Sequence, residues 1–219
     1  MFEYLGILLP TLLLGARNTL LIFTLTLIFA LPLGLVFTLA SISKIPPLRW
    51  LSNTYIWIMR GTPLMLQLFF MYFFIPIVTK QGLMLSNLST AAITFILNYA
   101  AYFAEIYRGG IQSIDKGQYE AAKTLGFSYH KTMWHIIIPQ TVGRVLPPIA
   151  NEAITLVKDT ALIHVIGAAE IMYYARSAVN TSVNPTPYAV AACFYLLFTF
   201  VLTVLAKKLE NRFARHEKV

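Results

Sequence analysis

Glu152, Lys158 and Asp159 fall inside the long apolar segment 139–166. A charge at the centre of a membrane span costs about 2.5 to 3.5 kcal/mol on insertion scales, so three in one span need a reason. On a helix that starts at Pro139, Glu152 lies about 20 Å along the axis. Asp159 comes seven residues later, two turns on and on nearly the same face, about 10 Å further. Two carboxylates on one stripe favour a cation. Lys158, about 100° around the helix from Asp159, either pairs with an acid or receives an anionic group. Gln67 and Asn98 fall at comparable depth on neighbouring segments, where they either add neutral hydrogen bonds to such a site or hold helices together. Asp159 has the same two readings, ligand contact or helix packing. Tyr99 and Tyr102 read as packing, and Glu105 with Arg108, three apart, as a local ion pair.

Other chemistry is poorly supplied. The single cysteine, Cys193, sits in an apolar stretch and cannot form an intrachain disulfide. His130 and His135 are spaced wrongly for one helical face, and no metal-ligand cluster or nucleophile constellation is visible. No G-x-x-x-x-G-K-[ST] occurs, so the chain holds no phosphate-cradling loop. No catalytic residue, bound metal or cofactor is therefore expected in this chain.

The elements that must position these residues are membrane helices. The sequence of 219 residues is 58% apolar and 12% charged, with a mean hydropathy of +0.67; a soluble domain carries about 25% charged residues. Residues 18–43 hold no Asp, Glu, Lys or Arg, a stretch longer than the roughly 20 residues that cross a bilayer. Five spans are read, at about 19–42, 61–79, 85–104, 139–166 and 187–206, in a single domain covering 1–219. An amphipathic approach segment, 48–59, turns into the second span at Arg60, Gly61, Thr62 and Pro63, with Arg60 free to snorkel to the interface. Trp50, Trp57 and Tyr188 mark interfaces. The net charge of +8 is a membrane-surface property rather than a nucleic-acid one, because most of the excess lies between apolar runs. With the N-terminus outside, the inner side holds Lys44, Arg49, Arg108, Lys116, Lys123, Lys131, Arg144, Lys207, Lys208, Arg212, Arg215 and Lys218, against Arg17, Lys80 and Arg176 outside. That asymmetry predicts an outer N-terminus and a cytoplasmic C-terminus. The first ten residues lack a basic region, so a cleaved signal peptide is not expected. No internal repeat or matched halves appear, which weakens an inverted-repeat transporter.

One hydrophilic insertion, at about 107–138, separates the third and fourth spans. It reads as two short helices, 118–125 and 129–136, with Gly126 as a C-cap, Ser128 as an N-cap and Pro139 opening the next span. Its run GQYEAAKTLGFSYHKTMWHIIIPQ resembles the EAA loop of importer permeases of the ATP-binding cassette (ABC) superfamily. Glu120, Ala121, Ala122, Gly126, Ile136 and Pro139 fall in register with that motif, and Ile138 stands where it prefers leucine. RGTPLMLQLFF, AAYFAEIYRGGIQSIDKGQ and LVKDTALIHVIGAAEI are similar to segments of the polar amino acid permeases, which import histidine, arginine, lysine, glutamine and related substrates. The resemblance covers about 17–208.

The resemblance implies an all-α integral membrane fold of the type I ABC importer permease, five transmembrane helices with a cytoplasmic two-helix coupling loop, in the bacterial inner membrane. It also implies a second permease copy or close paralogue, two ATPase subunits that carry ATP and Mg, and an extracytoplasmic amino-acid-binding protein. Glu120, Ala121, Ala122 and Gly126 are the coupling residues by analogy. Within this reading Glu152 and Asp159 meet the cationic groups of a basic amino acid, and Lys158 either receives its carboxylate or pairs with an acid. The rival is an ion-coupled secondary transporter that uses Glu152 and Asp159 as proton or sodium sites.

Overall fold

The computed structural model describes residues 2–80, 82 and 84–214, and among them there are helices and connections but no strand. Arg215 and Lys218, counted above on the inner side, lie outside the described residues. The first helix, α1, runs Phe2–Ser41 and so begins well before the apolar stretch from residue 18. The cause is a four-residue repeat: Leu8, Leu12 and Ala16 share a face and bury against Ile171, Ala175 and Ala191.

The chain then turns sharply. Helix α2, Pro46–Gly61, and the helical run Leu64–Val78 are bent by 106° at a break over Thr62 and Pro63. Both residues are extended, Thr62 at φ −119° and ψ 143°, Pro63 at φ −61° and ψ 133°, because a proline pushes its predecessor out of the helical region. The second leg comprises α3, Leu64–Phe69, a π-helical turn, Phe70–Phe74, and α4, Ile75–Val78.

Helix α5, Asn87–Gln112, is the centre of the bundle. It lies parallel to α1 at close range. A Cβ on Gly34 would sit 2.8 Å from the Cβ of Phe103, and the Thr38 hydroxyl donates to the Ala104 carbonyl at 2.9 Å. The main core forms here from Ile22, Leu68, Phe95, Tyr99, Phe103, Leu156 and Ile163, which come from α1, α3, α5, α8 and the turn after it.

Beyond α5 come α6, Lys116–Thr124, and α7, Tyr129–Thr132. A second π-helical turn, Met133–Ile137, joins α7 to α8, Ile138–Asp159, without a break. The short second helix expected to stop before Pro139 is thus the first part of one long helix. Both π turns precede a proline by two residues, Pro76 and Pro139. A proline ring crowds the carbonyl four residues back and gives no N–H, and a π turn there widens the helix to admit it. A 3₁₀ segment, Thr160–Ile166, follows α8, then α9, Ile171–Ser182, and α10, Thr186–Ala214.

By length and composition two of the described helices can cross a membrane, over Gly6–Ser41 and Thr186–Phe213, or three if the bent pair counts as one. In α10 only 6% of the most apolar window is buried, the signature of a helix that faces lipid or another chain. Helices α5 and α8 carry the polar residues and are selected less by composition than by what packs on them.

Candidate functional site

Helix α8 runs antiparallel to α5. A Cβ on Gly110 would come within 2.1 Å of the Val145 Cγ1, and further along, the Tyr99 hydroxyl donates to the Asp159 Oδ2 at 2.8 Å. Glu152 lies between these two crossings. It is half-buried, and its carboxylate takes no hydrogen bond or ion pair from the described residues. It nevertheless feels the charges of Asp159 and of Arg60. The pairing of Tyr99 with Asp159 was not visible in the sequence, where Tyr99 read as packing. The ring is packed, 1% exposed, but its hydroxyl reaches the acid.

Arg60 joins this surface from the last turn of α2. Its Nη1 lies 3.7 Å from the Glu105 Oε1, and its guanidinium sits over the Tyr102 ring, 5.6 Å from the centroid. The guanidinium is thereby a cation held over an aromatic face. Glu105 is committed elsewhere. The Arg108 Nε donates to Oε2 at 3.0 Å and Nη2 donates to Oε1, and this pairing holds the Glu105 carboxyl below its ordinary value.

Gln67 and Asn98 are brought together, and their amides are spent on the elbow. Asn98 Nδ2 donates to the Met59 carbonyl and to Gln67 Oε1, both at 3.0 Å. Gln67 Nε2 donates to the Met59 carbonyl at 2.9 Å and to the Thr62 Oγ1 at 2.7 Å. The break deprives the end of α2 of helical donors, and these two side chains supply them. An apolar cavity of about 430 Å³ opens beside the elbow, lined by Ile58, Met59, Thr62, Leu66, Gln67 and Phe70 among others; neither acid lines it. Lys158 is exposed and makes no ion pair with the described residues.

A second buried acid escaped the sequence reading. Glu170 is 0% exposed and caps α9, accepting from the Met172 and Tyr173 N–H groups at 2.8 and 2.7 Å and from the Tyr195 hydroxyl at 2.8 Å. The signal was present as an acid just before a helix, but α9 itself was not read. Asn18 Nδ2 donates to the neighbouring Ala169 carbonyl at 2.6 Å. Glu170 ties α9 and α10 together, away from Glu152.

The hydrophilic hairpin forms a separate candidate surface. Asp115 caps α6 through the Gly117 N–H at 2.6 Å. Gly126, at φ +75°, closes it with paired bonds, Phe127 N–H to the Ala122 carbonyl at 2.9 Å and Gly126 N–H to the Lys123 carbonyl at 3.0 Å. Glu120, Ala121 and Gly126 are exposed, together with Leu125, Tyr129 and Trp134. Ala122, by contrast, is 1% exposed and turned into the chain. The helix–helix corner is tied to α8 by Gln140 Nε2 donating to Gln118 Oε1 at 3.3 Å, and α8 in turn is tied to the end of α5 by Arg144 Nη1 donating to the Ser113 carbonyl.

Residues 30–215 match the family model described as binding-protein-dependent transport system inner membrane component. The arginine transport system permease protein ArtQ of Bacillus subtilis is 38% identical over 204 residues, 93% of this chain and 92% of that one. A putative glutamine transport system permease protein GlnP of Rickettsia felis is 35% identical over 216 residues, 97% and 98% of the two chains. Among solved structures, the crystal structure of an amino acid ABC transporter with histidines superposes at a TM-score of 0.83, with 31% identity over 97% of this chain and 96% of that one. The inward-facing MetNI methionine ABC transporter superposes at 0.73 with 16% identity, a likeness of fold.

Proposed function

Because the chain belongs to the family of binding-protein-dependent transport system inner membrane components, as the permease subunit of an amino acid ABC importer, we propose that it conducts basic amino acids past Glu152 and Asp159. The observation that carries this reading is the Glu152 carboxylate, half-buried on α8, without a hydrogen-bonding partner among the described residues and with a second acid two turns along the same helix. An unpaired carboxylate away from bulk water is costly. A substrate cation that relieves the cost is bound selectively. Asp159, already held by Tyr99, is the better positioned and less available of the two. Arginine transport by the Bacillus relative is consistent with a cationic substrate.

The permease performs no hydrolysis, which belongs to partner ATPase subunits. The coupling surface is the exposed hairpin around Glu120, Ala121 and Gly126, with Ala122 acting as the buried support of the corner. Continuity of α7, the π turn and α8 supports this: a push on α7 is passed along one helical run toward Glu152, through Pro147 and Pro148. Two copies, or one copy and a paralogue, form the pathway, with the N-terminus outside and the C-terminus in the cytoplasm. The five proposed spans are those read from the sequence, and an extracytoplasmic binding protein delivers the substrate.

Direct binding of labelled arginine, lysine, histidine and glutamine to the complex purified with its ATPase subunits tests the reading. Glu152→Gln is expected to weaken arginine at least tenfold while glutamine binding changes little; arginine affinity unchanged in that variant refutes the role of Glu152. Uptake in liposomes that persists without ATP and collapses with an ionophore identifies the ion-coupled alternative.

A further inference from the structure

We propose that Arg60 receives the α-carboxylate of the transported amino acid, an inference that rests on Glu152 and Asp159 being the acids that meet its cationic groups. A basic amino acid brings two positive groups and one negative, so a pair of acids leaves the carboxylate to be satisfied. Three basic side chains stand near the site. Arg108 is committed to Glu105 through two donors. Lys158 is exposed and approaches neither acid closely enough for an ion pair.

Arg60 has the geometry of a receptor at rest. Its guanidinium makes no hydrogen bond with the described residues, its nearest acid is 3.7 Å away and already saturated by Arg108, and the Tyr102 ring supports one face. Such a fork presents a carboxylate with two parallel donors. The mount is rigid, because the carbonyl of Met59, the preceding residue, is fixed by both Gln67 and Asn98. This gives the two amides a role in placing the receptor. Arg60 retains 40% of its side-chain surface in the isolated chain, and the Tyr102 ring beneath it lies 6.1 Å from the Tyr99 ring whose hydroxyl holds Asp159, so the fork and the acid belong to one surface.

The test compares arginine with agmatine, its decarboxylated counterpart, by direct binding to the complex of the permease with its ATPase subunits. Wild type is expected to favour arginine. Arg60→Gln should weaken arginine by about tenfold or more, the scale of a lost charged hydrogen-bonding contact, and leave agmatine unchanged. Arg60→Lys, which keeps the charge and loses the fork, should fall between and serves if the glutamine variant does not assemble. Equal loss of arginine and agmatine, or absence of any preference in wild type, overturns the proposal. So does a preference that survives in the Arg60 variants and vanishes in Lys158→Gln. If wild type binds glutamine and not arginine, the basic-substrate reading fails separately, and the Arg60 assignment is decided by the same comparison of glutamine with 4-aminobutanamide.

Discussion

At the scale of single residues, the buried and half-buried carboxylates differ in what holds them. Glu105 has a guanidinium, Asp159 has a phenol, Glu170 has two backbone N–H groups and a phenol, and Glu152 has neither donor nor ion pair among the described residues. Removing the phenol from Asp159 strips a half-buried acid of its donor. Tyr99→Phe is therefore expected to cost about 1.5 to 3 kcal/mol of stability, read by thermal unfolding of the complex in detergent, unless substrate supplies the missing donor. Adding arginine should then recover more stability in Tyr99→Phe than in wild type. Glu105 gives a pH signature. Its carboxyl is held below the ordinary value of 4.5, first by the Arg108 hydrogen bonds, so the stability it adds is present above that value and lost as pH falls through the lowered one. The acid limb of a stability profile should flatten in Glu105→Gln; an unchanged limb removes Glu105 from its cause.

At the scale of elements, the bundle depends on places where side chains are missing. The Gly110 site faces the stiff side chain of Val145 at 2.1 Å from where a Cβ would be, and a valine cannot swing away as a long side chain can. Gly110→Ala should destabilise the chain by about 1 to 3 kcal/mol through overpacking, and Val145→Ala in the same molecule should restore much of it. Failure of the second change to rescue the first places the strain elsewhere. Gly126 is a different case: open space surrounds it, and only its positive φ matters. Gly126→Ala should cost about 1 to 2 kcal/mol locally, seen as loss of ATPase stimulation by substrate while arginine binding to the complex is retained. The cap residues Ser128 and Gly126 were legible because turn chemistry is local. Helix α9 was not, since its apolar face is completed only by Leu8, Leu12 and Ala191, far away in the chain.

At the scale of the whole molecule, few residues of α10 are buried and much of α1 is exposed, so lipid or a second copy must complete the assembly. The proposed orientation predicts that a cysteine introduced at Leu125, in a background with Cys193→Ser, reacts with an impermeant maleimide from the cytoplasmic side alone; labelling from outside inverts the topology. By itself the sequence determined the membrane class, the family and the register of the hydrophilic hairpin, because hydropathy, charge asymmetry and turn residues act over short distances. It also singled out Glu152 and Asp159, because a charge in an apolar segment is conspicuous wherever it later packs. Only the tertiary structure decided who their neighbours are. Tyr99, Arg60 and the spent amides of Gln67 and Asn98 meet α8 or one another through helix crossings and a 106° elbow, and a contact between helices has no period or spacing along the chain by which it could be read.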